Sequence, residues 1–326
     1  MRARKITTDG LTQQVLEAGP EDGELVVLIH GFPELGISWR AQIRALGEAG
    51  YHAVAPDMRG YGGTDRPEAR DDHTILHLVG DMVDLVRALG KTRCFVVGHD
   101  WGAPVAWHCA LTRPDLFRAV MGLSVPFQPR IPKGPPTPMM AMLGQRLGPN
   151  GRPLGEFYIN QFQAPDAHLE FEADAASALR RGFYAYDGAT PDDRRSTGFL
   201  PEGRTFLSAV ADDATLPPWM SADHFREYVE AFTASGFRGA LDWYRCIDLN
   251  WRMTAHLQNK RIAVPAFFLV GDRDPVRVYA GQHEAGLKDW APDLRGQVVL
   301  EGAGHWVQQE RPDEVNAALL GFLSGL

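Results

Sequence analysis

The apolar run Cys94-Phe95-Val96-Val97 stops at Gly98-His99-Asp100-Trp101-Gly102 and is followed at once by Ala103-Pro104-Val105-Ala106-Trp107. The pattern reads as a strand, a sharp turn and a helix, and it constrains the fold more than any other stretch. Glycines flank the turn because the strand and helix backbones approach too closely there for Cβ atoms. Such a turn lifts its central side chain, here Asp100, clear of the strand end. A hydroxyl in that place performs acyl transfer. A carboxylate instead suits displacement at a saturated carbon, giving an alkyl ester, because acyl transfer to it would give a high-energy anhydride. The plainer role for Asp100, capping the helix N-terminus, explains neither the flanking glycines nor the downstream histidine described below.

Around this turn the chain alternates strand and helix. Short strands are expected at 3–7 and 11–17, joined by the hairpin signal Asp9-Gly10. The continuous apolar run 25–29 fits a strand covered on both faces. A helix over 39–49, a strand over 51–55, a helix over 75–89 ended by Gly90, and a strand over 119–123 follow. The prolines at 129, 132, 135, 136 and 138 break the pattern and read as a rigid, non-helical exit. From about 157 to 251 the sequence predicts only helices and loops, with helices at 167–181, 222–233 (capped by Ser221) and 240–249. The polar stretch 187–218 reads as a long loop over a pocket. Strands return at 266–270 and 297–300, before a last helix over 313–323. The expected class is α/β, a mostly parallel sheet flanked by helices. Its core comprises 1–127 and 255–326, with a helical segment inserted at 128–254.

A length of 326 residues suffices for one such core and its insertion. The net charge of −8 and the lack of a basic stripe argue against nucleic-acid binding. The basic N-terminus lacks the apolar segment of a secretion signal, and no run is long enough to span a membrane, so a cytoplasmic location is expected. Three scattered cysteines, Cys94, Cys109 and Cys246, suggest neither disulfides nor zinc.

A carboxylate nucleophile needs a base to release its ester, and the base needs an orienting acid. Gly271-Asp272-Arg273-Asp274 and Gly302-Ala303-Gly304-His305 each follow a late strand, at the carboxyl ends where such sheets place their sites. Asp274 is the expected acid and His305 the expected base, with Asp272 as a competitor that could instead cap the turn. His30-Gly31-Phe32-Pro33 follows the third strand. Its Phe32 amide, with that of Trp101, is expected to form an oxyanion hole. His30 and His99 read as structural. Two decoys fall away: Gly60-x-Gly62-Gly63 precedes no immediate helix, and His73 and His77 read as a solvated helix start rather than a metal site.

His-Gly-Phe-Pro-Glu (30–34), Gly-His-Asp-Trp-Gly-Ala (98–103), Leu-Asp-Trp-Tyr-Arg (241–245) and Gly-His-Trp (304–306) together resemble the soluble, bacterial-type epoxide hydrolases of the α/β-hydrolase superfamily, across nearly the whole chain. The resemblance implies an eight-stranded sheet under a helical cap, and two cap tyrosines that protonate the epoxide oxygen. Tyr244 matches one. Tyr158, in a segment resembling Tyr-x-x-x-Phe-Gln-x-Pro, matches the other, with Tyr184 and Tyr186 in the same insertion as competitors. The chemistry agrees: an opening epoxide generates an alkoxide, and a phenol of pKa about 10 stays protonated yet donates readily to it. The implied reaction takes a small-molecule epoxide to a vicinal diol and needs no metal or organic cofactor. Haloalkane and haloacid dehalogenases share the Asp-Trp turn but typically carry Asn where this chain has Phe32. That reading stays open through the indoles of Trp219, Trp243 and Trp251. A non-catalytic ligand sensor on the same fold is a third reading. The oligomeric state, a homodimer included, is not fixed by the sequence.

Overall fold

In the computed structural model, residues 1–143, 145, 154–211 and 213–326 are described. Eight strands form one sheet: β1 (Arg2–Thr8), β2 (Leu11–Ala18), β3 (Leu25–Ile29), β4 (His52–Pro56), β5 (Cys94–His99), β6 (Phe117–Leu123), β7 (Ala266–Gly271) and β8 (Leu294–Leu300). Their order is β1-β2-β4-β3-β5-β6-β7-β8. The first two pairings, β1 with β2 and β2 with β4, are antiparallel, and all others are parallel. The α/β expectation therefore holds.

Burial follows position in the sheet. Every residue of β3, β4 and β5 is buried, as continuous apolar runs covered on both faces require. β2 alternates buried and half-buried positions, and β8, at the edge, alternates half-buried and exposed ones. Successive side chains of β3 enter opposite layers. Leu25, Val27 and Ile29 pack with the helices Ile75–Ala88 and Gly102–Thr112, while Val26 and Leu28 pack with Arg40–Glu48 and Pro312–Ser324. Each such side chain contributes about 1.5–3 kcal/mol of burial.

Register aligns the carboxyl ends. Gly98 of β5 pairs with Ile29 of β3 and Gly122 of β6, Leu123 of β6 with Leu269 of β7, and Gly271 of β7 with Leu300 of β8. The segments leaving these strands, which carry Phe32, Asp100, Asp274 and His305, therefore emerge along one edge.

Between β6 and β7 the described residues depart from expectation at several points. The proline-rich exit becomes helical at Pro136–Leu143, since Pro136 opens a helix whose first N–H needs no partner. The expected helix over 167–181 is two, His168–Glu172 and Ala175–Ala185, because the Asp174 carboxylate accepts from the Ser177 amide and starts a new N-terminus. The expected helix over 240–249 is likewise interrupted at Cys246, giving Arg238–Arg245 and Ile247–Met253. A two-stranded ribbon, Glu156–Phe157 with Phe199–Leu200, lies where only helices and loops were expected. Ser221 caps the helix Ala222–Ser235 as expected, and Gly236 ends it at a φ of 70°. His73 is buried rather than solvated. Among the described residues no helix is long and apolar enough to cross a membrane, and no cluster of potential metal ligands is found.

Candidate active site

The turn after β5 forms as its sequence requires. Asp100 has a φ of 50°, a left-handed conformation unusual for a residue with a side chain. A Cβ on Gly98 would collide with the Gly102 carbonyl, and one on Gly102 with the Ile29 carbonyl. Only paired glycines let this helix start so close to the sheet. The strained turn holds the Asp100 carboxylate, 8% exposed, above β5.

Two of the expected groups meet that carboxylate, and a third stands behind one of them. The Phe32 amide donates to Oδ1 at 2.8 Å, while His305 Nε2 lies 3.4 Å from Oδ2. On its other side the imidazole places Nδ1 at 3.2 Å from both oxygens of Asp274. Trp101 opens the helix Gly102–Thr112; no hydrogen bond from its amide to Asp100 is found among the described residues. Asp272 caps a turn, accepting from the Gly302 amide at 2.7 Å.

Electrostatics divide the labour. Burial alone would raise the Asp100 carboxyl, but the His305 hydrogen bond and charge, His99 and the Phe32 amide outweigh it and hold Asp100 below its ordinary pKa. Burial likewise opposes charge on His305. The neighbouring Asp274 and Asp100 carboxylates overcome it and raise the imidazole well above its usual value.

The inserted segment brings both expected tyrosines to the same place. Tyr158 begins the short helix Tyr158–Gln161 directly after the ribbon, and its amide donates to the Gly198 carbonyl at 3.0 Å. Tyr244, 2% exposed, projects from Arg238–Arg245 and packs edge-on against Phe32, Trp101 and Phe162. Gln163 joins the two segments by donating to the carbonyls of Ile159 and Tyr244. Burial, then the Asp100 charge, raises the Tyr158 phenol well above 10. Burial, Tyr158 and Asp100 do the same for Tyr244, so both stay protonated at neutral pH. Tyr186 supplies the carbonyl that accepts from the His305 amide at 2.9 Å.

Two cavities meet at Asp100. One of 580 Å³ runs past Trp101, Trp107, Leu111, Met140 and Trp251. The other, of only 30 Å³, lies beside His305, Tyr186 and Phe206. Tyr158, Tyr244 and Tyr279 line both. The three indoles considered for a halide are already engaged: Trp219 Nε1 donates to Asp187, Trp243 Nε1 to the Arg59 carbonyl and Trp251 Nε1 to the Ile131 carbonyl.

Several neighbours are not evident from the sequence. Ser124, at a φ of 69° just after β6, places Oγ 2.9 Å from His305 Nδ1. His99 donates through Nε2 to the His305 carbonyl at 2.7 Å, and its Nδ1 lies 2.7 Å from Glu34, whose other oxygen accepts from Gln308 and Gln309. Position at a strand's carboxyl end was the available signal for Ser124. His30 is structural as expected, accepting from the Met58 amide at Nε2 and donating through Nδ1 to the Gly31 carbonyl.

Comparison with known proteins identifies the family and the relatives of the chain. The alpha/beta hydrolase fold family matches residues 24–312. Epoxide hydrolase A of Mycobacterium tuberculosis is 42% identical, with 99% of this chain and 97% of that protein covered. Epoxide hydrolase 3 of Siraitia grosvenorii is 37% identical over 98% and 97%. The crystal structure of epoxide hydrolase A from Mycobacterium thermoresistibile superposes with a TM-score of 0.91 at 42% identity, covering 100% of this chain and 98% of that one.

Proposed function

This chain belongs to the α/β-hydrolase-fold family, and from that premise we propose that it is an epoxide hydrolase working through a covalent ester on Asp100. The carrying observation is a carboxylate with one oxygen on the Phe32 amide and the other facing an acid-paired imidazole, under two protonated tyrosines. Asp100 Oδ2 attacks an epoxide carbon, and the carbon–oxygen bond of the ring breaks. The electron pair of that bond goes to oxygen, which takes a proton from Tyr158 or Tyr244. Oδ1 stays on the Phe32 amide and becomes the ester carbonyl oxygen, with the Trp101 amide as second donor when charge develops there.

Esterification then changes His305. The Asp100 charge is one of the groups that raises the imidazole. Once Asp100 is an ester that charge is gone and the imidazole pKa falls; the imidazolium proton passes to the tyrosinate left by ring opening, and neutral His305 becomes a competent base held by Asp274. It takes a proton from water, the hydroxide adds to the Asp100 carbonyl, and the tetrahedral intermediate expels the diol as it regains a proton. The new hydroxyl of the diol therefore carries an Asp100 oxygen.

Cavity sizes favour a substrate class. A space of 30 Å³ holds about two waters, each needing roughly 10–15 Å³ on this measure. It therefore suits the hydrolytic water beside His305 and leaves the substrate's bulk to the 580 Å³ apolar side. Epoxides with one large apolar substituent fit this division. Single turnover of styrene oxide in heavy-oxygen water tests the reading. Unlabelled diol is expected on the first turnover, and His305→Gln should trap an adduct of substrate mass on Asp100. Solvent label in the first diol refutes it. The dehalogenase reading has no free indole among Trp219, Trp243 and Trp251 to support it.

A further inference from the structure

We propose that Glu310 is the positioning residue for the water-activating step, clamping the His305 loop to the inserted segment through three backbone amides. The inference builds on the reading of His305 as base and adds what holds that base in place. Glu310 Oε2 accepts from Gly304 N at 2.8 Å and Gly188 N at 3.0 Å, and Oε1 accepts from Trp306 N at 2.9 Å. Two of these amides bracket His305 in the chain. The third belongs to the segment after Tyr186, whose carbonyl accepts from the His305 amide itself. One carboxylate thus gathers the residues on both sides of the base and a strip of the insertion packed against them.

Close backbone approach makes the clamp necessary. A Cβ on Gly304 would collide with Gly188 N and the Tyr186 carbonyl, and one on Gly188 with the Gly302 carbonyl and Gly304 N. Two chain segments this close leave their N–H groups no room for water. A buried N–H without an acceptor is costly, so one carboxylate answers all three. Arg273 adds a tie from the Asp274 side by donating to the Gly188 carbonyl.

The geometry separates the two chemical steps. Alkylation uses Asp100, the Phe32 amide and the tyrosines, none of which lies on this loop. Only ester hydrolysis needs His305 aimed at a water. Glu310 also titrates in a useful range. Burial, then the Asp187 charge, raises its carboxyl to about 7, with the three amides pulling it down. Asp187 is the charge that acts on it, and Arg311 and Arg273 act in turn on Asp187. Protonation removes one acceptor lone pair and loosens the loop, so hydrolysis should weaken as pH falls through about 7.

The test follows both steps by rapid quench and intact mass with styrene oxide, using the full chain. A glutamine at this position turns an NH₂ toward at least one of the three N–H donors. Glu310→Gln should therefore slow ester decay about 10-fold or more, keep alkylation within about 3-fold, and accumulate ester during turnover (a 10-fold change corresponds to about 1.4 kcal/mol). Should that variant not fold, Asp187→Asn leaves Glu310 in place, and lowering its pKa should move the acid limb of hydrolysis to lower pH. Ester decay at the wild-type rate in Glu310→Gln, a proportional loss of both steps, or an unmoved limb in Asp187→Asn overturns the assignment. An unmodified Asp100 in His305→Gln, under conditions where wild type turns over, overturns the ester reading beneath it.

Discussion

Replacing Tyr244 with phenylalanine removes a single oxygen and leaves the ring contacts with Phe32, Trp101 and Phe162 in place. The fold should scarcely notice, so a change in rate reports chemistry. A hydrogen bond to a charged group contributes about 1.5–3 kcal/mol, and donation to an alkoxide is of that kind. Loss of one donor should therefore slow alkylation about 10- to 150-fold. Tyr158 lines the same two cavities with its ring centroid 6.2 Å from that of Tyr244, so it remains as the second donor and the single variant keeps measurable turnover. Removing both hydroxyls takes away the general acid entirely and should cost about 10²–10⁴. Trp101, whose ring centroid lies 5.2 Å from that of Tyr244, offers an intrinsic fluorescence signal for stopped-flow single turnovers. Ester decay should stay near the wild-type rate, since His305 rather than a phenol handles the water. Alkylation at the wild-type rate in the double variant, or a defect confined to ester decay, would refute the assignment of the tyrosines as proton donors.

Asp274→Asn removes the charge that most supports the imidazolium, so ester decay should slow by about 10² or more with ester visible by intact mass; Ser124→Ala should do far less. Met140→Trp narrows the large cavity and should raise KM about 10-fold (about 1.4 kcal/mol) for 1,2-epoxydecane while leaving propylene oxide near wild type. Bromoalkanes should release no halide in an ion-selective assay, given the engaged indoles of Trp219, Trp243 and Trp251. Stability should also depend on pH in two windows. The lowered Asp100 contributes stability that is present above its unfolded pKa near 3.8 and lost as pH falls through the lower folded value. The raised His305 contributes stability that is full below about 6.5 and lost as pH rises through its higher folded value. Melting temperatures of His305→Gln measured against pH should lack the second loss.

Asp100, Asp274 and His305 were legible because each sits just past an apolar run, and parallel strands whose registers agree bring those positions to one edge. The sheet was legible for the same reason: burial on both faces leaves β3 no polar positions and β5 none before His99. The polar supports were not. Glu34 meets His99 across 65 residues and Gln308 across 274, and no local pattern encodes such pairings. Glu310 looks like a surface residue of a helix start until the Gly188 backbone comes up beside it. In the insertion, apolar spacing overran its true limits at 167–181 because one capping side chain, Asp174, outweighed the periodicity. Pro136 deceived in the opposite direction, since a proline that breaks a helix from within also starts one well.

On the proposed mechanism the order of events is a property of charge rather than of motion. Before reaction, His305 stands between Asp274 and Asp100, and both carboxylates favour its protonated form, which supports the nucleophile without competing for the electrophile. Alkylation neutralises one of them and thereby creates the base that the second step requires. The same event removes the nearby negative charge that helps hold the phenols high, so a tyrosine that has given up its proton faces less repulsion afterwards than before. On that mechanism a water entering the small cavity beside His305 would be activated only once the ester exists. A hydroxyl nucleophile at position 100 would carry no such charge to lose, so on the proposed mechanism the internal trigger comes from the acid at this turn and not from the fold around it.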